Sequence, residues 1–279
     1  FQLVSQASDN LTCPETITRV YSIADIDGNI STCSQIIIVH DIIAPSFTIV
    51  PQDMTVECDG SNNAPQLSSW LSNVGAIDNC VPPVITNNFI SLSDLCGASG
   101  SALVTFTATD DCGNSATTSA TFTIIDVTTP SITTQAADLT VECDGSGNTA
   151  ELNAWLASNG GADAFDICSG TVSWTNDFTA LSDLCGASGS ALVTFTATDD
   201  CGNSATTSAT FTIIDVTAPS ITIQAANLTL ECDGSGNTAE LNAWLASNGG
   251  ADASDICSGT VSWTNDFTTL SDLCGASGS

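Results

Sequence analysis

Aspartate is the residue whose placement in this chain most suggests chemistry. One set stands in tight turns, Asp25 with Asp27, Asp110 with Asp111 and Asp199 with Asp200. A second set, Asp78, Asp166 and Asp255, lies two residues before Cys80, Cys168 and Cys257. A third, Asp41, Asp126 and Asp215, lies four residues before Pro45, Pro130 and Pro219. If a head-to-tail array brings the third set to the loops that carry the other two, three or four carboxylates and nearby carbonyls form a hard-oxygen site suited to Ca²⁺. The candidate ligands are then Asp41, Asp78, Asp110, Asp111, Asp126, Asp166, Asp199, Asp200, Asp215 and Asp255. The competing reading is that each Asp caps its own turn through an Asx hydrogen bond, and no EF-hand spacing decides between them.

Other chemistries find little support. The sequence has a single His, His40, with no repeated base partner, which argues against nucleophilic catalysis and against an enzyme. The glycine-rich pieces CDGSGN and CGASGS lack the lysine of a phosphate loop and read as turns. With 31 acidic residues against one basic residue, Arg19, the surface repels nucleic acid and anionic lipid and attracts cations. Only 11% of residues are charged, so this is not a disordered polyacid. No apolar run is long enough to span a bilayer as a helix.

The elements that must position these residues recur. Residues 92–128, LSDLCGASGSALVTFTATDDCGNSATTSATFTIIDVT, return unchanged as 181–217, an offset of 89 positions (181 − 92). The same phase places LSDLCGASGS at 270–279, and residues 20–45 align without gaps on 105–130. The chain therefore reads as a window on a tandem array. Its divisions are 1–44 (C-terminal part of a domain), 45–129 and 130–218 (two complete domains), and 219–279 (N-terminal part of a domain). Between 131–190 and 220–279 only five positions differ, which suits a spacer more than a set of diversified binding loops.

Within each unit, Val104, Phe106 and Ala108 alternate with threonines, as do Ala120, Phe122 and Ile124 with Thr121, Thr123 and Ile125, the period-two pattern of a half-buried antiparallel sheet. Asp25-Ile-Asp-Gly-Asn29 and its later copies are hairpin turns. Leu152, Trp155 and Leu156 share one face of a short helix, with Asn148 or Thr149 as N-cap and Gly160-Gly161 as stop; Asn63, Pro65, Leu67, Trp70 and Leu71 repeat the design. The tryptophans read as core. About seven short strands per repeat indicate an all-β fold of tandem immunoglobulin-like β-sandwich domains, each with a short helical insertion.

Thirteen cysteines without a CxxC pair read as a disulfide framework made in an oxidising compartment. In such a sandwich Cys58 and Cys96 lie at one end, and Cys80 and Cys112 at the other. The strand between Cys96 and Cys112 spans about 25 Å, against a limit of roughly 7 Å between bridged Cα atoms. The expected pairs are therefore Cys58 with Cys96, Cys80 with Cys112, Cys143 with Cys185, Cys168 with Cys201, and Cys232 with Cys274.

The segment TATDDCGNSATTSATFTIIDVT resembles the hyalin-repeat and bacterial immunoglobulin-like modules found in tandem in giant surface proteins. The opening CPETITRVYSIADIDGNISTCSQIIIV is similar to repeats of large secreted proteins of Bacteroidota. This resemblance implies an extracellular, cell-surface setting and no shared catalytic activity. The expected function is a segment of the stalk or filament of a cell-adhesion protein, a disulfide-stapled rod whose partners are neighbouring copies of the repeat. Two alternatives stand beside it: a module that binds a surface glycan or protein through its loops, and a self-assembling fibre subunit that pairs with other filament chains.

Overall fold

The computed structural model describes residues 1–182 and 187–270. The chain is all-β, with repeated immunoglobulin-like sandwich layers and one short α-helix in each copy after the first. In chain order the strands are β1 (Gln2–Ser8), β2 (Glu15–Ala24) and β3 (Ile30–Val39), which form one antiparallel sheet in the order β1-β2-β3. The next copy holds β4 (Ser46–Ile49), β5 (Met54–Glu57), α1 (Ala64–Ser72), β6 (Gly75–Ile77), β7 (Val84–Asn87), β8 (Gly100–Thr109) and β9 (Ser115–Ile125). Its strands make a four-stranded sheet, β5-β9-β8-β7, and a two-stranded one, β4-β6. The edge pair β5 and β9 is parallel, with Met54 opposite Phe122.

The following copy repeats this with β10 (Ser131–Thr134), β11 (Leu139–Glu142), α2 (Thr149–Ala157), β12 (Asp163–Phe165), β13 (Ser173–Asn176), β14 (Gly189–Thr198) and β15 (Ser204–Ile214). Its sheets are β11-β15-β14-β13 and β10-β12. Then come β16 (Ser220–Ile223), α3 (Thr238–Ala246) and β17 (Asp252–Ser254), with β16 paired to β17. The chain forms two compact units. The first comprises residues 1–129 with 166–171 and 199–203; the second comprises 130–165, 172–198 and 204–279.

Alternation places the cores where the pattern requires. Val104, Phe106, Ala108, Phe122 and Ile124 are fully buried, as are their later counterparts Val193, Phe195, Ala197 and Phe211. Trp70 packs edge-on against Phe106, its ring centroid 5.7 Å away, and donates from Nε1 to the Gln52 carbonyl at 2.8 Å. Trp155 does the same with Phe195 and the Ala137 carbonyl. A tryptophan can be buried only where its N–H finds an acceptor, and the bend before β5 or β11 supplies one. Helix α2 ends at Ala157, before the expected Gly160-Gly161 stop, and Asn159 is the first residue at positive φ (55°); at Gly160 (φ 66°) an added Cβ would lie 3.0 Å from Phe195 and 3.1 Å from Ala136, so a neighbour would have to give.

The helix starts differ from the expected caps. Asn63 and Asn148 occupy the N-cap, but in the left-handed region (φ 48° and 47°), and their side chains do not cap. That conformation turns each side chain back toward the preceding strand, so Nδ2 donates to the Glu57 or Glu142 carbonyl at 2.8 Å. The Asp59 and Asp144 carboxylates take the asparagine amides instead. Thr149 is simply the first helical residue.

The disulfides overturn the expected pairing. Cys58 bonds to Cys168 (Cα–Cα 6.0 Å), Cys96 to Cys201 (5.1 Å), Cys13 to Cys112 (5.1 Å) and Cys143 to Cys257 (6.0 Å). The pairs Cys58–Cys96, Cys80–Cys112, Cys143–Cys185 and Cys168–Cys201 therefore do not form. Cys80 and Cys33 are exposed thiols. Cys185 and Cys274 lie outside the described residues, and with them the expected Cys232–Cys274 bridge. The strand-length argument correctly kept Cys96 from Cys112, but two cysteines at one end of a sandwich need not approach within bridging distance. The sulfurs that do so belong to the loop and hairpin tip of the next copy, residues 166–171 and 199–203, which pack into the same compact unit as residues 1–129.

Candidate functional site

Among the described residues, three groups of side chains gather ligand atoms within 4.8 Å of one another: Asp41, Asp78 and Cys80; Asp126, Asp166 and Cys168; Asp215, Asp255 and Cys257. Each pairs a linker aspartate with an aspartate from the loop after the short strand β6, β12 or β17. The local reason is the same each time. The loop aspartate begins an Asx turn, so that Asp78 Oδ2 accepts the Cys80 amide at 3.0 Å, and Asp166 Oδ1 accepts the Cys168 and Ser169 amides at 2.8 and 2.9 Å. The linker aspartate likewise takes an amide two residues on, Ile43 to Asp41 at 3.0 Å and Thr128 to Asp126 at 3.2 Å.

An asparagine that sequence reasoning passed over anchors the linker. Asn114 Nδ2 donates to the Asp41 carbonyl, and Asn203 Nδ2 to the Asp126 carbonyl, both at 3.1 Å. The signal was present, since Asn closes the same hairpin turn in every copy. Gly97 makes a second close approach possible. It adopts φ +54°, and a Cβ there would lie 2.6 Å from the Cys168 carbonyl oxygen, which accepts the Ala98 amide.

The remaining candidate ligands are not in these groups. Asp110 Oδ1 accepts the Cys112 and Asn114 amides at 2.9 and 2.8 Å, and its Oδ2 takes Asn114 Nδ2. Asp199 repeats this with Cys201 and Asn203. Asp111 accepts from the Thr12 hydroxyl and Asp200 from that of Thr171. Asp110 and Asp199 follow the turn-capping reading, as does Asp25 with Asp27 and Asn29, whereas the bonds of Asp111 and Asp200 reach hydroxyls 99 and 29 residues away.

Electrostatics separate the groups further. Burial pushes the Asp126 carboxyl up, opposed by the Thr128 amide and reinforced by the charges of Asp166, Asp199 and Glu57. Asp41 is held below the ordinary carboxylate range, chiefly by the Ile43 amide. The repeats also differ at one neighbouring position. Ser169 directs its hydroxyl to Asp126 Oδ2 at 3.5 Å, and Ser258 to Asp215 Oδ2 at 3.1 Å, whereas Val81 stands at the equivalent place beside Asp41.

No family model and no curated relative matches the chain. Among solved structures it is similar to a protocadherin gammaB7 EC3-6 cis-dimer, at 19% identity over 79% of this chain and 62% of that one, with a TM-score of 0.28. Mouse clustered PcdhgC3 EC1-3 gives 16% identity over 72% and 77%, TM-score 0.28. The human desmocollin-1 ectodomain gives 12% over 78% and 51%, TM-score 0.25. The chain thus spans about three fifths of the gammaB7 structure. At such TM-scores these likenesses carry no argument, and the fold stands on the sheets and cores described above. No described helix is long and apolar enough to cross a membrane.

Proposed function

We propose that this chain is a load-bearing segment of an extracellular adhesion-type repeat protein, in which successive sandwich copies are stapled by disulfides and no catalysis takes place. The hyalin-repeat resemblance agrees with this role in a surface stalk. One observation carries it: every described bridge joins a cysteine of one copy to a cysteine of the next, and the four bridges overlap along the sequence. Such bridges persist only in an oxidising compartment, which supports the extracellular setting. Hard cations are the counter-charge this acidic chain would collect, and a linker–loop aspartate pair is where we place one.

Overlap has a mechanical consequence. Tension entering at Cys13 passes through its bridge to Cys112, along 31 residues to Cys143 (143 − 112), and through that bridge to Cys257. The load skips most of both sandwiches. At roughly 3.5 Å per extended residue, that path lengthens to about 110 Å, whereas the uncrosslinked 244 residues (257 − 13) would reach about 850 Å. Single-molecule stretching between these two points should give the short limit without reductant and the long one with it. A long contour under oxidising conditions would sink the proposal, as would a peptide map joining Cys58 to Cys96.

A further inference from the structure

We infer that the cluster formed by Asp41 and Asp78 is a specific site for one hard divalent cation, Ca²⁺ by its ligand chemistry, and that the Asp126–Asp166 and Asp215–Asp255 clusters are not, because a serine completes them. The inference deepens the cation reading above and is independent of the disulfide reading. Two atoms mark the site. Asp41 Oδ2 and Asp78 Oδ1 are buried without a hydrogen-bond partner, and the Asp41 side chain as a whole is only 8% exposed. A buried carboxylate oxygen with no donor is costly. Among the described residues the only other such atom is Gln66 Oε1, so two of the three fall at this one place.

The orphaned oxygens have a cause in the sequence. Cys168-Ser169-Gly170 and Cys257-Ser258-Gly259 give the linker aspartate a hydroxyl donor, whereas Cys80-Val81-Pro82 gives it a methyl group. The Cys80 thiol, whose sulfur lies within 4.8 Å of both carboxylates, is the substitute at hand. A thiol is a weak donor and leaves both oxygens without a bond of ordinary geometry. Asn79 replaces the isoleucine of the later copies, Ile167 and Ile256, and its amide reaches Asp41 Oδ1 at 3.5 Å. A cleft lined by Glu15, His40, Asp41 and Asn79 together with apolar residues such as Val39 and Ile43 opens beside Asp41 and gives an ion and its remaining waters a way in. Two carboxylates completed by water form the oxygen set of a Ca²⁺ site.

The test is calorimetric titration of Ca²⁺ into the chelator-treated 279-residue chain at physiological salt, with Mg²⁺ as a second titrant. One saturable equivalent is expected, with Mg²⁺ binding more weakly. Asp78→Asn should weaken it at least tenfold. Val81→Ser should do the same without altering charge, by supplying the missing donor. Ser169→Val should add a second equivalent by orphaning Asp126. The inference is overturned by diffuse, unsaturable uptake, by three equal sites, or by an affinity that neither Asp78→Asn nor Val81→Ser changes. An intact disulfide map in each variant separates these outcomes from misfolding, and a failed stretching experiment leaves them untouched.

Discussion

The hairpin β2–β3 and the hairpin β8–β9 are the same object in two environments. Both pair ten residues in the same register, Glu15 opposite Val39 in one and Gly100 opposite Ile124 in the other. Both close with an aspartate whose Oδ1 takes the amides two and four residues on. They differ in what covers them. Ile124 and Ala108 are fully buried, whereas their counterparts Val39 and Ile23 are 47% and 56% exposed. The turn and the ladder are thus local properties, while burial is a property of the second layer and the helix.

That comparison predicts its own tests, and the largest concerns the core. Ile124→Ala should cost about 2–5 kcal/mol, and Val39→Ala within about 0.5 kcal/mol, read from denaturant midpoints. Equal losses would mean that β3 has a covering layer after all. Next is the removal of one bridge by Cys58→Ala with Cys168→Ala, which should cost about 2–4 kcal/mol, most simply followed by thermal unfolding with and without reductant. If reductant lowers the midpoint of the double variant as far as that of the parent, the Cys58–Cys168 bridge contributes nothing.

A smaller effect is expected at Trp70. Trp70→Phe keeps most of the ring packing but loses the bond to the Gln52 carbonyl, for a loss of about 1 kcal/mol. Urea titration of the variant would show whether that bond matters. The smallest concerns the turns themselves. Asp25 is held below the ordinary carboxylate range by the Asn29 side chain and then by its amide. A depressed folded-state value means that Asp25 stabilises the turn above its unfolded value of about 4, and that this contribution is lost as the pH falls through the lower folded value. Exchange protection of the Asn29 amide should fall on acidification below that range, and Asp25→Asn should abolish the pH dependence.

Much of the architecture was legible because it is written at short range. Threonine alternation located both long strands of each copy, the Asp-x-x-Gly-Asn pattern located the hairpins, and Leu152, Trp155 and Leu156 located the helix. The N-cap positions Asn63 and Asn148 were legible, but not their positive φ or the loss of the side-chain cap bond, which spacing does not reveal. Among the candidate ligands, spacing could not separate Asp110 and Asp199, whose oxygens are occupied by their own turns, from Asp41 and Asp78, each of which keeps one oxygen without a donor. The substitution of Val81 for the serine of the later copies was visible from the start, yet it acquires meaning only beside Asp41 Oδ2.

By itself the sequence determined the repeat, the strand and turn pattern, the identity of the core residues and the acidic, cysteine-rich surface, since each depends on neighbours a few positions away. Tertiary structure alone decided which cysteines bond and which carboxylates are left without a donor. Both outcomes depend on atoms brought within a few ångströms by residues about a hundred positions apart, as with Cys58 and Cys168, or about forty, as with Asp41 and Asp78. Local pattern fixes the ends at which such groups lie and leaves open which group of the next copy they meet.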